Sequence, residues 1–179
     1  SHTLSHGLHY ASTGFEGERV YSGVIFKGRE HTERLRRSCE MLDFELPLSD
    51  DELDAAKTAV VEANGIVDGY VRAFAWRGSE MMAISAQHTT THVAIAAWEW
   101  PSYFDPETKM KGITLDIADW KRPSPESAPV HAKAAGLYMI CTLSKHAAEK
   151  KGFQDALMLD YRGYLAEATG ANVFFVDKE

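Results

Sequence analysis

Cysteine is scarce in this chain: Cys39 and Cys141 are the whole complement in 179 residues. Two thiols so far apart make neither a disulfide framework nor a metal-binding pattern. Read as reduced, buried side chains, they point to a cytoplasmic protein. Long apolar runs are missing as well. Nothing approaches the roughly 20 apolar residues that span a bilayer, and the opening "SHTLSHGLHY" has no signal-peptide core. The chain does not open on Met, so a start further upstream is expected. Positive charge is in the minority, with 19 Lys and Arg against 26 Asp and Glu and a formal net charge of −7. Nucleic acid and anionic membranes both require clustered basic surface, and neither is expected as a partner. The one basic cluster, "RLRR" at 34–37, is short and sits beside acids. There is no G-x-G-x-x-G and no Walker loop, so dinucleotide and P-loop sites have no support. His88 and His92 have metal-ligand spacing only on a helix. The three threonines between them disfavour one, and no metal site is expected.

What remains is ordinary globular composition, 45% hydrophobic and 25% charged, which can bury a sizeable core. The patterns are mixed. "ERVYSGVIF" (18–26), "GYVRAFAWRG" (69–78), "TTTHVAIAAWEW" (89–100) and "ITLDIADW" (113–120) predict strands, with Gly23 as a turn or bulge. Leu35, Cys39 and Leu42 recur at helical spacing within 29–44. Ser49 and Glu52 form a capping box ahead of "DDELDAAKTAVVEAN", and Gly65 supplies its stop. A further helix is expected over 136–151, then short strands in "DALMLD", "GYLAE" and "NVFFVD". Strand pairs interleaved with helices predict an α+β chain of two domains. Residues 1–100 form the first, 101–112 the link, and 113–179 the opening part of a second. The chain stops straight after an apolar strand, so the second domain is expected to be incomplete.

One lysine stands out. In "PVHAKAAGLY" (129–138), Lys133 has alanine on both sides and Gly136 three residues on. A nucleophilic lysine must be neutral part of the time, and desolvation or a neighbouring positive dipole lowers its pKa. Lys133 lies just before a predicted helix N-terminus, and its small neighbours would admit a flat ligand. Tyr138, five residues on, could share a site with it only if the lysine sits upstream of the regular helix.

The stretch "EATGANVF" (167–174) carries E-x-[ST]-x-x-N-[aliphatic]-[Phe/Tyr] through Glu167, Thr169, Asn172, Val173 and Phe174. This resembles the central signature of the class IV, fold type IV, pyridoxal-phosphate aminotransferases. "SHGLHYASTGFEGERVY" (5–21), "REHTERL", "YVRAFAWRG" and "RPSPESAPVHAKAAGLY" resemble further motifs of the branched-chain members, in order along nearly the whole chain. Departures are Ala73 for a usual Pro, Leu137 for a common Asn and Ala171 for a common Glu; none removes a chemical role. The resemblance implies a two-domain fold like that of D-amino-acid aminotransferase, truncated within the second domain. It implies pyridoxal 5′-phosphate held covalently by Lys133, with Glu167 facing its ring nitrogen, Tyr138 its phenolic oxygen and Arg34 its phosphate. Tyr10, Phe15, Gly17, Arg72, Trp100 and Tyr103 match positions around the substrate pocket. Arg72 is the expected carboxylate-binding residue, with Arg77 as the competitor. The implied activity is transamination of branched-chain L-amino acids with 2-oxoglutarate, by a homo-oligomer that is at least a dimer. D-amino-acid or amine transamination, or an aminodeoxychorismate lyase activity, is the alternative on the same fold.

Overall fold

The structure, a computed structural model, describes every residue except 1, 101, 103, 104 and 177–179. The chain divides into two compact units. One comprises Ser1–Ser102 and His131–Gly136, the other Tyr103–Val130 and Leu137–Glu179. The short segment around Lys133 thus packs with the N-terminal residues, although it lies within the span 113–179.

The first unit is a sheet with helices on one face. It opens with a short helix that the sequence did not announce, α1 (His6–Tyr10), ended by Ala11 in the left-handed region at φ 56°. Strands β1 (Thr13–Phe15) and β2 (Glu18–Tyr21) follow, then β3 (Val24–Ile25). Ser22 at φ 51° and Gly23 at φ 79° close the β2–β3 hairpin, the backbone pair that a two-residue turn of matching twist requires. Helices α2 (Gly28–Met41) and α3 (Asp50–Ala63) come next. The expected run to residue 44 ends early because Asp43 turns left-handed at φ 61° and Phe44 N–H bonds back to the Cys39 carbonyl. The capping box at Ser49 and Glu52 forms as its spacing predicts.

Strand β4 (Gly69–Arg77) is the spine, antiparallel to β1, β2 and to β5 (Thr91–Glu99). Thr13–Trp76, Phe15–Phe74, Glu18–Val71 and Val20–Gly69 lie in one unbroken register. β1 and β2 are therefore a single line along one edge of β4, interrupted only at Glu16–Gly17. Side chains alternate across the sheet. Gly14, Glu16, Glu18 and Val20 face the helices with Val71, Ala73 and Ala75, whereas Phe15, Gly17 and Arg19 alternate with them and are only partly buried. Under the helices, Leu35, Cys39, Phe44, Leu46 and Leu53 pack on Ala73 and Ala75, and Val61 and Ile66 on Val20 and Val71. Burial pushes the Cys39 thiol up to about 12, so this thiol is an apolar core residue. One polar knot lies in the same layer. Lys57, 1% exposed, donates to Glu18, to the Gly28 carbonyl and to Thr32.

In the second unit, α4 (Pro106–Lys111) occupies part of the expected link, capped by Asp105. Then come β6 (Leu115–Arg122), α5 (Met139–Lys150), β7 (Asp155–Asp160) and β8 (Leu165–Ala168), with a 3-10 turn at Ala135–Leu137 where the chain passes from the first unit back to the second. β6 and β7 are parallel, β7 and β8 antiparallel. The strand expected in "NVFFVD" is absent over 172–176; its last residue, 177, lies outside the described residues. A strand exists only through its ladder, and none of the described residues pairs with this stretch as a strand. Phe174 and Val176 are about nine-tenths exposed, at 89% and 91%. Among the described residues, no helix is long and apolar enough to cross a membrane.

Candidate active site

In the first unit the lysine is held by its backbone and lies against an aromatic ring. Lys133 N–H donates to Ser38 Oγ (2.9 Å) on α2, and its carbonyl accepts from Phe15 N–H (3.1 Å) on β1. The next residue, Ala134, bridges to Gly14. The segment therefore adds an edge to the sheet, upstream of the 3-10 turn. Ala132 and Ala134 are each 4% exposed and Lys133 between them is half-buried, so alternation buries the two alanines and leaves the lysine at the boundary. Its Nζ stands 4.9 Å from the Phe15 ring centroid.

Phe15 also carries Arg72, whose guanidinium carbon is 4.5 Å from the ring centroid, a cation–π distance. Arg72 Nη2 donates to the Tyr70 hydroxyl (2.8 Å). Tyr70 packs on Trp98 and Trp100, centroids 5.1 and 4.9 Å away, and the Trp100 carbonyl accepts from Arg19. Gly17 is next to this group for a steric reason. A Cβ there would stand 2.9 Å from Tyr70 Cζ and closer still to its hydroxyl. Phe15, Gly17, Arg72, Trp100 and Lys133 are therefore drawn into one neighbourhood. Tyr10 closes α1 with its ring 4.6 Å from His6. Tyr103 lies outside the described residues.

The structure separates the two rival arginines. Arg77 is 8% exposed and donates to the carbonyls of Ala86 and Asp43, where it ties loops to the strand. Arg72 keeps its Nε buried with no hydrogen-bond partner among the described residues. A buried donor without a partner is costly, and a carboxylate-bearing ligand would satisfy it.

Arg34 is on α2. It grips Glu16 with two parallel bonds, Nε to Oε1 at 2.6 Å and Nη2 to Oε2 at 2.7 Å, the fork geometry that suits a carboxylate. His31 Nδ1 lies 2.6 Å from Oε2. Glu16 is fully buried, yet the Arg34 side chain remains 47% exposed. Burial pushes the Glu16 pKa up, but hydrogen bonds and charge from Arg34 and His31 outweigh it and hold the group below its ordinary value. The resemblance motif over 5–21 includes Glu16 but assigns it no role, because that role depends on a partner 18 residues away. The available signal was an acid on the inward phase of an otherwise apolar strand face.

In the second unit, Arg122 joins two expected site residues. Its Nε donates to Glu167 Oε1 (3.0 Å), its Nη1 to the Leu137 carbonyl (2.9 Å), and its guanidinium carbon is 6.0 Å from the Tyr138 ring centroid. The side chain is 15% exposed, against 40% for Glu167. Arg122 opens the R-x-x-P motif, the one signal that could have flagged it. Thr169, two residues past Glu167, is used internally, donating to Asp155 Oδ1 at 2.5 Å. His92, half of the H-x3-H pair, is in β5 with its ring stacked 5.4 Å from Trp76.

The family model for amino-transferase class IV matches residues 13–179, and the chain belongs to that family. A probable branched-chain-amino-acid aminotransferase of Rickettsia conorii is 43% identical over 175 residues, 98% of this chain and 59% of that protein. The branched-chain-amino-acid aminotransferase of Pseudomonas aeruginosa is 35% identical over 180 residues, again 98% of this chain and 59% of the relative. The chain thus spans about three-fifths of the length of these relatives. Among solved structures, an aminotransferase from Brucella abortus bound to the co-factor PLP matches with a TM-score of 0.83 and 29% identity, over 99% of this chain and 62% of that one. The Escherichia coli branched-chain amino acid aminotransferase matches with a TM-score of 0.89 and 34% identity, over 94% and 57%.

Proposed function

We propose that this protein is a pyridoxal 5′-phosphate-dependent transaminase that moves the amino group between branched-chain L-amino acids and 2-oxoglutarate, as a cytoplasmic homo-oligomer. The observation that carries this reading is Lys133, anchored beside Phe15 and Arg72 in a chain of this family. The groups present suit the cofactor chemically. An amine takes its aldehyde, a guanidinium fork its phosphate, a carboxylate its ring nitrogen and a phenol its phenolic oxygen. When bound, the cofactor supplies an electron sink. The remaining work belongs to the chain. Lys133 would hold the cofactor, and its amine is the base that would take the proton from the substrate α-carbon. Glu167, steadied by Arg122, keeps a proton on the ring nitrogen, and Tyr138 orients the ring. Arg34 holds the phosphate.

The substrate pocket must accept an aliphatic side chain in one half-reaction and the glutamate γ-carboxylate in the other. Phe15 and Trp100 would supply apolar walls, the motif adds Tyr10 and Tyr103 to the pocket residues, and Gly17 leaves space for Tyr70. Arg72 supplies the charge, its unpaired Nε being the donor that a carboxylate would meet. The direct test is amino transfer to 2-oxoglutarate by the full-length protein. L-leucine should be converted and D-alanine should not. A preference for D-alanine, or no transfer from either, would overturn this reading.

A further inference from the structure

We infer that Glu16 is the positioning residue that holds Arg34 ready for a phosphate; this rests on the reading of Arg34 as the cofactor's phosphate ligand. Two buried acids, Glu16 and Glu18, occupy alternate inward positions of one strand line, and each has a cation from the helices above. The two pairs differ in one respect. Lys57 is 1% exposed, so the Glu18 pair is sealed inside and can only tie α3 to the sheet. Arg34 is 47% exposed while Glu16 is at 0%. Glu16 therefore anchors from within a cation whose side chain still reaches the surface.

The carboxylate itself cannot wander. Its backbone N–H donates to the Ala73 carbonyl (2.7 Å) of the central strand. Both its oxygens are engaged, by Arg34, by His31 and by the Gly17 N–H at 3.4 Å. A half-exposed arginine on a helix otherwise samples many rotamers, and a ligand must freeze them on binding. The two-point clamp fixes the plane of the guanidinium beforehand, so less freedom is lost when an anion docks. Glutamine at position 16 keeps the shape but loses the charge and one of the two acceptors.

The test compares pyridoxal 5′-phosphate with pyridoxal, which has no phosphate, by absorbance titration of the full-length apoprotein. The wild type should prefer the phosphorylated form, and Arg34→Ala should abolish most of that preference. Glu16→Gln should lower the preference by roughly 3- to 10-fold, the factor set by immobilising one long side chain, with pyridoxal affinity little changed. Equal weakening of both ligands would make Glu16 purely structural and overturn the inference, as would an unchanged preference. Should Glu16→Gln fail to fold, Arg34→Lys decides. It keeps the charge but cannot form the two-point clamp, so a fully retained preference would equally overturn the inference. If Arg34→Ala leaves the preference intact, the phosphate role of Arg34 itself is wrong, an outcome distinct from failure of Glu16→Gln alone.

Discussion

Replacing Gly17 by alanine should disturb the candidate pocket without touching a charged group. The new methyl would stand 2.9 Å from Tyr70 Cζ and 3.3 Å from Cε2, and nearer still to the hydroxyl. Tyr70 has little room to retreat, because its ring is packed at 5.1 and 4.9 Å from Trp98 and Trp100. Overpacking of this kind costs about 1–3 kcal/mol. If the phenol swings away, the bond from Arg72 Nη2 is lost as well, worth about 1.5–3 kcal/mol for a charged donor. The unfolding free energy of Gly17→Ala should therefore fall by roughly 1–3 kcal/mol if the bond survives and roughly 2.5–6 kcal/mol if it is lost, read from urea titration at constant m. The cause is checked in a Tyr70→Phe background, where the nearest clashing atom is gone. There the same substitution should cost at least ~1 kcal/mol less, a coupling well above the scatter of independent sites. Additive effects of the two substitutions would refute the steric account of Gly17.

Arg72→Met should slow the glutamate half-reaction by about 10- to 150-fold, the rate equivalent of one charge-assisted bond. The leucine half-reaction should change far less, and single-turnover measurements with each amino acid would show it. Equal losses would mean that Arg72 serves the common α-carboxylate or the fold. Arg122→Met should weaken apparent cofactor affinity by about 10-fold or more, because Glu167 loses its charged partner; an unchanged affinity in a titration would remove Arg122 from the site. The two buried acids should act oppositely with pH. The Glu16 pKa is held below its ordinary value of 4.5, so its stabilisation is present above that value and lost as pH falls through the folded one. Glu16→Gln should then flatten the acid limb of the stability profile. Burial raises the Glu18 pKa more than Lys57 lowers it, so its contribution is complete below 4.5 and lost as pH rises through the raised value. Glu18→Gln should remove that loss, and urea unfolding across pH would show both effects.

Local signals were legible where chemistry and period agreed. The Ser49–Glu52 capping box, the turn at Gly23 and the strand expected over 69–78 each translate into structure without outside help. The strand expected from residue 18 forms as β2, but its continuation back through Glu16 to β1 was hidden, because an acid on the inward phase contradicts an apolar face. Only the cations from α2 and α3 make it acceptable. Lys57 carries no sequence signal of its burial either, as a lysine in an amphipathic helix is ordinarily solvated. "NVFFVD" carries strand composition, but strand formation needs a partner that composition does not provide. Phe15, Arg72 and Lys133 are far apart in sequence, and their grouping follows from the β1–β4 register and the bridge at Ala134. The resemblance already ranked Arg72 above Arg77; the structure adds that the two lie on opposite phases of β4.

The central claim is that Lys133 is the covalent anchor of the cofactor. The full-length protein should be loaded with pyridoxal 5′-phosphate, reduced with borohydride and digested, and the labelled peptide sequenced by mass spectrometry. One phosphopyridoxyl group per chain should be found on Lys133, and Lys133→Ala should remain unlabelled. A label on Lys109, Lys111 or Lys145 in the wild type, or no label at all, would contradict the account.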